Sequence, residues 1–319
     1  MHDFEFDTVI VGGGPAGLCA GMYAGRGMLK GVILESRVPG GELLNTEKIE
    51  DYPGFESILG RDLAEKMTAH AIKFGAEIRQ ATVDGIHRQA DGSFEVKTIE
   101  GDTYRAPTVI LTAGGTPTKL DVPGEVEYAG FGVSYCAVCD GAFFRGHTIA
   151  VVGGGDAAVE EADYLTRYAS KVYLIHRRDE LRASKLLQER LFANPKIEIV
   201  WNQKVLEVHG QERLGMREVT GLTLENTVTA EHTRLPVTGC FVFVGFRPNT
   251  GLIKEHFDHD ASGYVVTDDR MMTSIPGLFA AGDLRVQLTR QVTTAVGDAT
   301  TAAIAVEKYL THRRSRVGV

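Results

Sequence analysis

Short apolar runs that stop at glycine clusters set the rhythm of the chain. VIV leads into Gly12-Gly13-Gly14, and IAVV leads into Gly153-Gly154-Gly155. Beyond each cluster come small residues with a helical spacing of apolar positions. A second strand-like run follows each: GVILES at 31–36 and KVYLIHR at 171–177. The stretches FDTVIVGGGPAGLCAGMYAGR and HTIAVVGGGDAAVEEADYLTR therefore resemble one another. Self-similarity of this kind predicts two strand–helix–strand units, and so an α/β fold with two Rossmann-like sheets.

Two further apolar runs, TVILTAGG and GCFVFVG, lead into Gly- and Pro-rich segments at 112–125 and 244–251. The second glycine unit lies between them. The simplest layout inserts a second domain, 119–247, into a discontinuous first domain, 1–118 with 248–319. The strand-like SIPGLFAAGDL and the periodic TTAVGDATTAAIAVEKYL then return to the first domain as a strand and a long helix.

Composition narrows the classes. The 319 residues suffice for two domains, with the apolar and charged content of a soluble globular protein. No stretch approaches the roughly 18 uninterrupted apolar residues of a membrane span. MHDFEFD is acidic and its following apolar run is short, which predicts a first strand and not a signal peptide. A net charge of −8 argues against the broad basic surface of a nucleic-acid binder. The basic tail THRRSRVGV reads as a solvated, frayed end. Four cysteines, two lone (Cys19, Cys240) and two in a C-x-x-C (Cys136, Cys139), fit a reducing cytoplasm with one special pair.

The glycine clusters carry the first chemistry. Gly12, Gly14 and Gly17 form G-x-G-x-x-G directly after a strand. The first permits the tight turn, the second lets a pyrophosphate approach, and the third lets helix pack on strand. Unpaired N–H groups at the helix start then face the phosphates. Glu35 ends the second strand, placed to hydrogen-bond a ribose hydroxyl. Gly153, Gly155 and Ala158 repeat the pattern as G-x-G-x-x-A, but here the second strand ends in His176-Arg177-Arg178, with Arg182 one turn on. A carboxylate there would repel a 2′-phosphate, whereas guanidinium groups bind one bidentately. This site is expected to prefer NADPH to NADH. Two different dinucleotide sites suggest one ligand that stays and one that visits, which fits a tightly held flavin with a diffusible nicotinamide.

Cys136 and Cys139 sit in SYCAVCDGAFF. A zinc site needs two more ligands at compatible spacing, and Cys19 and Cys240 are isolated in apolar contexts. No metal is expected. Two inert core cysteines are the bland alternative to a redox dithiol. If CAVCDG opens a helix, its dipole favours a thiolate. The first cysteine of such a turn is usually the more accessible, so Cys136 is expected to exchange with a partner disulfide while Cys139 lies deeper. Exchange through a mixed disulfide is helped by a nearby proton carrier, for which Asp140 is the candidate; a helix-capping Asp is the alternative.

The stretches VGGGPAGL, GGELLNTEKIEDYPGF, CAVCDG, VGGGDAAVEEA, HRRDELRA and FAAGDLRVQLTRQ carry a resemblance over essentially the whole chain. The sequence resembles the low-molecular-weight, prokaryotic-type NADPH-dependent thioredoxin reductases, FAD-containing members of the pyridine nucleotide-disulfide oxidoreductases. Most specific is CAVCDG just before the second fingerprint, with HRRDELRA after it. The resemblance implies FAD contacts from Gly12, Gly14, Pro15, Ala16, Gly17, Glu35, Ser36, Gly40, Gly41, Glu42, Asn45, Asp51, Val83, Ala113, Gly114, Gly282, Asp283, Arg290, Gln291 and Val292. For NADPH it implies Gly153, Gly155, Asp156, Ala157, Ala158, Glu160, His176, Arg177, Arg178, Arg182 and Gly245. Physically, a strand-end Gly282-Asp283 can offer an N–H and a carboxylate to the ribityl chain. The resemblance also implies a cytoplasmic homodimer, a thioredoxin-like disulfide as partner, and rotation of one domain against the other.

The chain departs from the family pattern at four places. Phe131 stands where a basic residue is common, Ala142 where an aromatic is common, Asp51 for Asn and Glu42 for Gln. The first two concern the partner; the last two would add carboxylates near the flavin. The other readings are a ferredoxin-fed disulfide reductase or dithiol oxidase of the same fold, an NADPH:ferredoxin reductase, and a redox sensor or flavin store. Arg177, Arg178 and Arg182 argue against the first, Cys136 and Cys139 against the second, and the phosphate-tuned second site against the last. A flavoprotein with its own N-terminal dithiol domain is not expected, since the first fingerprint starts at residue 12.

Overall fold

A computed structural model describes residues 4–46, 48–213 and 215–316. The first three residues, the last three residues of the basic tail and Glu47 of the GGELLNTEKIEDYPGF stretch lie outside the described residues. The chain forms two compact units, residues 1–116 with 247–319, and residues 117–246.

The first unit is built on a five-stranded parallel sheet in the order Leu278–Ala280, Thr108–Leu111, Thr8–Val11, Gly31–Glu35, Glu77–Gln80. Its three central strands are apolar at nearly every position because a parallel sheet is covered on both faces. Alternate residues serve the two faces. Val9, Val11, Val32 and Leu34 pack with Phe94, Val96 and Tyr104 of an antiparallel sheet formed by Val83–Arg88, Phe94–Thr98 and Thr103–Ala106. Ile10, Ile33 and Ile110 pack with the helices Pro15–Arg26 and Val292–Arg316.

The second unit repeats the plan. Its parallel sheet runs Val133–Ser134, Gly239–Phe243, Thr148–Gly153, Lys171–Ile175, Ile197–Val200. Ile149, Val151, Val172, Leu174 and Phe241 face the helices Asp156–Leu165 and Lys185–Ala193. Ala150, Val152, Cys240 and Val242 face an antiparallel sheet of Gln203–Arg213, Met216–Asn226 and His232–Leu235. The α/β architecture with two Rossmann-like sheets is thus the one read from the glycine repeats. The two antiparallel sheets are additions that this reading did not contain.

Candidate active site

The first glycine turn joins the strand Thr8–Val11 to the helix Pro15–Arg26. Gly12 has φ +107, and a side chain there would meet the Thr112 carbonyl oxygen at 2.7 Å. A Cβ on Gly17 would lie 1.8 Å from the Gly12 carbonyl oxygen, so helix and turn touch through bare backbone. Around Gly14 the nearest atom to such a Cβ is the Gly41 Cα at 3.7 Å. Gly14 caps the helix with no side-chain hydrogen bond, Pro15 opens it, and Ala16 is buried in its first turn. The first N–H groups therefore keep their free donor capacity and the positive end of the helix dipole. Glu35 sits across the base of the turn. Its Oε2 accepts the Gly13 N–H at 2.7 Å, and its Oε1 accepts from the Arg37 N–H at 2.9 Å and the Ser36 hydroxyl at 3.3 Å.

Gly40 donates its N–H to the Gly13 carbonyl at 2.8 Å, bringing the Gly40–Gly41 turn beside the fingerprint. Glu42 is exposed in the short helical turn Gly41–Asn45 and accepts from Asn45 Nδ2 at 3.1 Å. Asp51 is also exposed. Ala113 and Gly114 follow the strand Thr108–Leu111, and Asn249 returns to them, its Nδ2 donating to the Ala113 carbonyl at 2.8 Å. Val83 is half-buried at the start of the antiparallel sheet and packs on the sheet core.

Asp283 is the most unusual side chain of this unit. Its Oδ1 is buried without a hydrogen-bond partner. Burial pushes its carboxyl up to about 6; Glu42 and Asp298 add to the rise, and Arg290 opposes it. Arg290 is exposed, its Nε donating to the Asp283 carbonyl at 3.3 Å and its guanidinium stacked 4.0 Å over the Tyr264 ring. Gln291 and Val292 stand at the start of the long helix. Within the Gly282-Asp283 pair the Gly282 N–H is donated to Asp298 Oδ2 at 3.2 Å, and Asp283 carries the unpartnered oxygen. Asp298 and its partner Arg285 were missed by sequence reasoning, because their pairing depends on packing of the helix against the turn. An orphaned buried acceptor beside an open glycine turn is the environment a polyhydroxylated dinucleotide would complete.

In the second unit a Cβ on Gly153 would meet Ala158 Cβ and the Phe243 carbonyl oxygen, each at 2.5 Å. Around Gly155 nothing lies within 4 Å. Gly155 caps the helix Asp156–Leu165 with no side-chain hydrogen bond, leaving its first N–H groups open. Asp156 accepts the Ser184 N–H on Oδ1 at 2.6 Å, and Ala157 and Glu160 are exposed on the first turns. Arg177, Arg178 and Arg182 are exposed, and no ion pair occupies their guanidinium groups among the described residues. The N–H groups of Arg182 and Ala183 both reach the Gly154 carbonyl, at 2.8 and 3.2 Å, fixing the basic segment against the glycine turn. His176 differs from the arginines. It is buried beneath Gly154, its Nε2 is 2.9 Å from the Glu180 carbonyl, and burial lowers its pKa, with Arg182 and Arg177 adding. Gly245, with φ +123, is exposed after the strand Gly239–Phe243.

Cys136 and Cys139 form a disulfide with Cα atoms 5.3 Å apart. Cys136 caps a single helical turn, Ala137–Asp140, and its Sγ accepts the Cys139 N–H at 3.1 Å. One turn supplies only its own first N–H groups, so the contribution of a dipole is confined to this contact. Exposure reverses the expected order: Cys139 is exposed and Cys136 half-buried. The reason is local, because Cys136 carries the cap and its N–H is held by Ser134 Oγ at 3.1 Å. Asp140 does not point away as a turn residue; its Oδ2 accepts the Ser134 hydroxyl at 2.6 Å. Ser134, unmarked by any motif, therefore joins Asp140 to the backbone of Cys136.

Glu125 was also missed. It is fully buried, taking the N–H groups of Leu120 and Asp121 and the Tyr135 hydroxyl at 2.7–2.8 Å. Cys19 and Cys240 are free and buried, and burial pushes both thiols up, Cys240 to about 12. They are unreactive packing residues. Among the described residues no cluster of His, Cys, Asp or Glu could hold a metal ion.

Comparison with known proteins places the chain. The family model for pyridine nucleotide-disulphide oxidoreductases matches residues 6–299. A thioredoxin reductase of Bacillus subtilis (strain 168) is 46% identical over 313 residues, spanning 96% of this chain and 95% of the relative. The crystal structure of Lactococcus lactis thioredoxin reductase superposes with a TM-score of 0.92 at 42% identity, over 97% of this chain and all of that one (100%). That of T. acidophilum thioredoxin reductase gives 0.90 at 35% identity, over 96% and 99%. With the paired glycine turns and the C-x-x-C disulfide, this makes the chain a member of the pyridine nucleotide-disulphide oxidoreductase family.

Proposed function

We propose that the chain is an NADPH-dependent thioredoxin-disulfide reductase. The observation that carries this reading is the Cys136–Cys139 disulfide in the same compact unit as a glycine turn flanked by three unpaired arginines. The family and its thioredoxin reductase relatives imply FAD and NADPH. FAD, when bound, takes two electrons as hydride from NADPH and returns them to a disulfide.

The discontinuous unit, about 1–118 with 248–319, would hold FAD. Its pyrophosphate would lie at the helix start after Gly14, a ribose at Glu35 and the ribityl chain at Asp283. The inserted unit, about 119–247, would hold NADPH at Gly155, with Arg177, Arg178 and Arg182 on its 2′-phosphate. Partner chemistry belongs to the two cysteines. Two-electron reduction breaks the Cys136–Cys139 bond. The Cys139 N–H directed at the Cys136 sulfur favours negative charge there, which makes Cys136 the attacking thiolate despite its lower exposure. Attack on a partner disulfide forms a mixed disulfide and releases one partner thiolate. Cys139 then attacks Cys136, restores the intramolecular bond and releases the second partner thiolate. The two partner thiolates take up protons, for which the Asp140–Ser134 pair is the adjacent relay.

The partner is read as a thioredoxin-like protein disulfide, and the assembly as a cytoplasmic homodimer. Phe131 and Phe143, 51% and 77% exposed near the dithiol in sequence, would give the docking face an apolar character. Among the described residues no helix is long and apolar enough to cross a membrane.

The test is a Cys136→Ser variant under anaerobic conditions. NADPH is expected to bleach its flavin as in the parent, while turnover of thioredoxin disulfide is lost. Surviving turnover would remove Cys136 from the exchange role. Failure of NADPH to bleach the parent flavin, with success of reduced ferredoxin, would favour the ferredoxin-fed reading.

A further inference from the structure

Asp298 is a buried acid that no motif announces. It lies on the long helix Val292–Arg316 and is 9% exposed. Its Oδ2 accepts the Gly282 N–H at 3.2 Å, and both of its oxygens lie 3.2 Å from Nη1 of Arg285. Arg285 is anchored in turn, its Nε donating to Thr267 Oγ1 at 3.1 Å. Gln287 Nε2 donates to the Gly282 carbonyl at 3.1 Å, so Gly282 is held at both its N–H and its C=O. These restraints act on a residue that needs them. Gly282 has φ +83, and a Cβ there would sit 3.1 Å from that of Ala16, in the first turn of the helix Pro15–Arg26. A side chain there would be crowded and its backbone strained, and glycine is the residue least able to hold one conformation by itself. The next residue is Asp283, whose Oδ1 is buried without a partner.

We propose that Asp298, braced by Arg285, is a positioning residue for the cofactor: it fixes the Gly282–Asp283 turn so that the unpartnered Asp283 oxygen meets the ribityl hydroxyls of FAD. This rests on the reading of the discontinuous unit as the FAD-binding one. A loop ordered before binding does not have to be ordered during it, and the difference appears as affinity. A buried ion pair with no such role would change stability alone.

Two double variants of the full chain separate these roles. Arg285→Met with Asp298→Asn removes both charges together and keeps an amide oxygen facing Gly282. Arg285→Met with Asp298→Ala removes the charges and the acceptor. FAD affinity is read by flavin fluorescence as the FAD-stripped chain is reconstituted, at a temperature where circular dichroism shows both variants folded. The Ala form is expected to bind FAD about tenfold more weakly than the Asn form, and the Asn form to stay within about threefold of the parent. Equal affinities of the two variants overturn the proposal. A second measurement needs no variant: in the FAD-free parent the Gly282 amide hydrogen should exchange slowly, and exchange at the rate of an open loop overturns the proposal. A parent chain that binds no FAD overturns the reading of this unit itself.

Discussion

Asp283 illustrates how a binding residue differs from a stabilising one. Burial raises its carboxyl to about 6, from an ordinary value of 3.8, because an unpartnered charge is poorly solvated there. The folded chain without FAD thus holds the proton more tightly than the unfolded chain. This contribution favours folding below about pH 4 and is lost as pH rises through about 6. Asp283→Asn removes the titration. The FAD-free variant is expected to be more stable than the parent at pH 8, by at most about 3 kcal/mol, and to match it near pH 4. Thermal unfolding across that range checks the sign. Its FAD affinity should fall at the same time, since an amide presents only one acceptor where the carboxylate presents two. None of this was legible in FAAGDL. The sequence shows a Gly-Asp at a strand end, but an orphaned oxygen is a property of the packing around it. The exposure of Cys139 over Cys136 was illegible for the same reason, since it follows from Ser134 reaching back to the Cys136 N–H.

The two glycine turns work at the scale of the element, and here sequence reading carried far. Gly12, Gly17 and Gly153 are required because backbone or a buried methyl occupies the space of a side chain; Gly14 and Gly155 are required to leave space empty. Spacing alone announces this division, because the strand–turn–helix geometry is local and nearly fixed. The basic strand end was legible too, but as a block, His176 with Arg177, Arg178 and Arg182. The structure divides it. His176 is buried under Gly154, whereas the three arginines are exposed and unpaired. Replacing Arg177 and Arg178 together by Ala should therefore raise the KM for NADPH by about 100-fold or more and leave that for NADH nearly unchanged, each charge-assisted phosphate bond contributing roughly 1.5–3 kcal/mol. Steady-state kinetics with both cofactors decide this, and equal losses for both would mean that the arginines only hold the turn. His176→Asn, by contrast, should lower stability more than cofactor preference. The antiparallel sheets escaped notice. Stretches such as FEVKT alternate over too few residues to stand out, and their place on the sheet is set by long-range packing.

At the scale of the whole molecule the apolar cores respect the two units. Among the described residues, the core clusters that contain Phe94, Val96, Ile10 and Ile33 are drawn from the discontinuous unit, and those that contain Val151, Leu174, Val208 and Val242 from 117–246. The inserted unit also brings its own ends together, the Thr118 N–H donating to the Gly245 carbonyl at 2.8 Å. A segment with its own two-faced core and adjoining ends has what an autonomous domain needs, and about 130 residues is an ordinary domain size. Residues 117–246 expressed alone should fold cooperatively, form the Cys136–Cys139 disulfide and bind NADPH in preference to NADH. They should bind no FAD, because every candidate FAD contact lies in the other unit. Calorimetry of the fragment and cofactor titration by tryptophan fluorescence are suitable, since Trp201, the one tryptophan of the chain, stacks edge-on with His176 at 6.2 Å. A fragment that unfolds without a cooperative transition would show that the stability of this unit depends on the rest of the chain. A fragment that folds and discriminates between the cofactors would locate the electron donor and the disulfide in one autonomous module, leaving the other unit to supply the flavin alone.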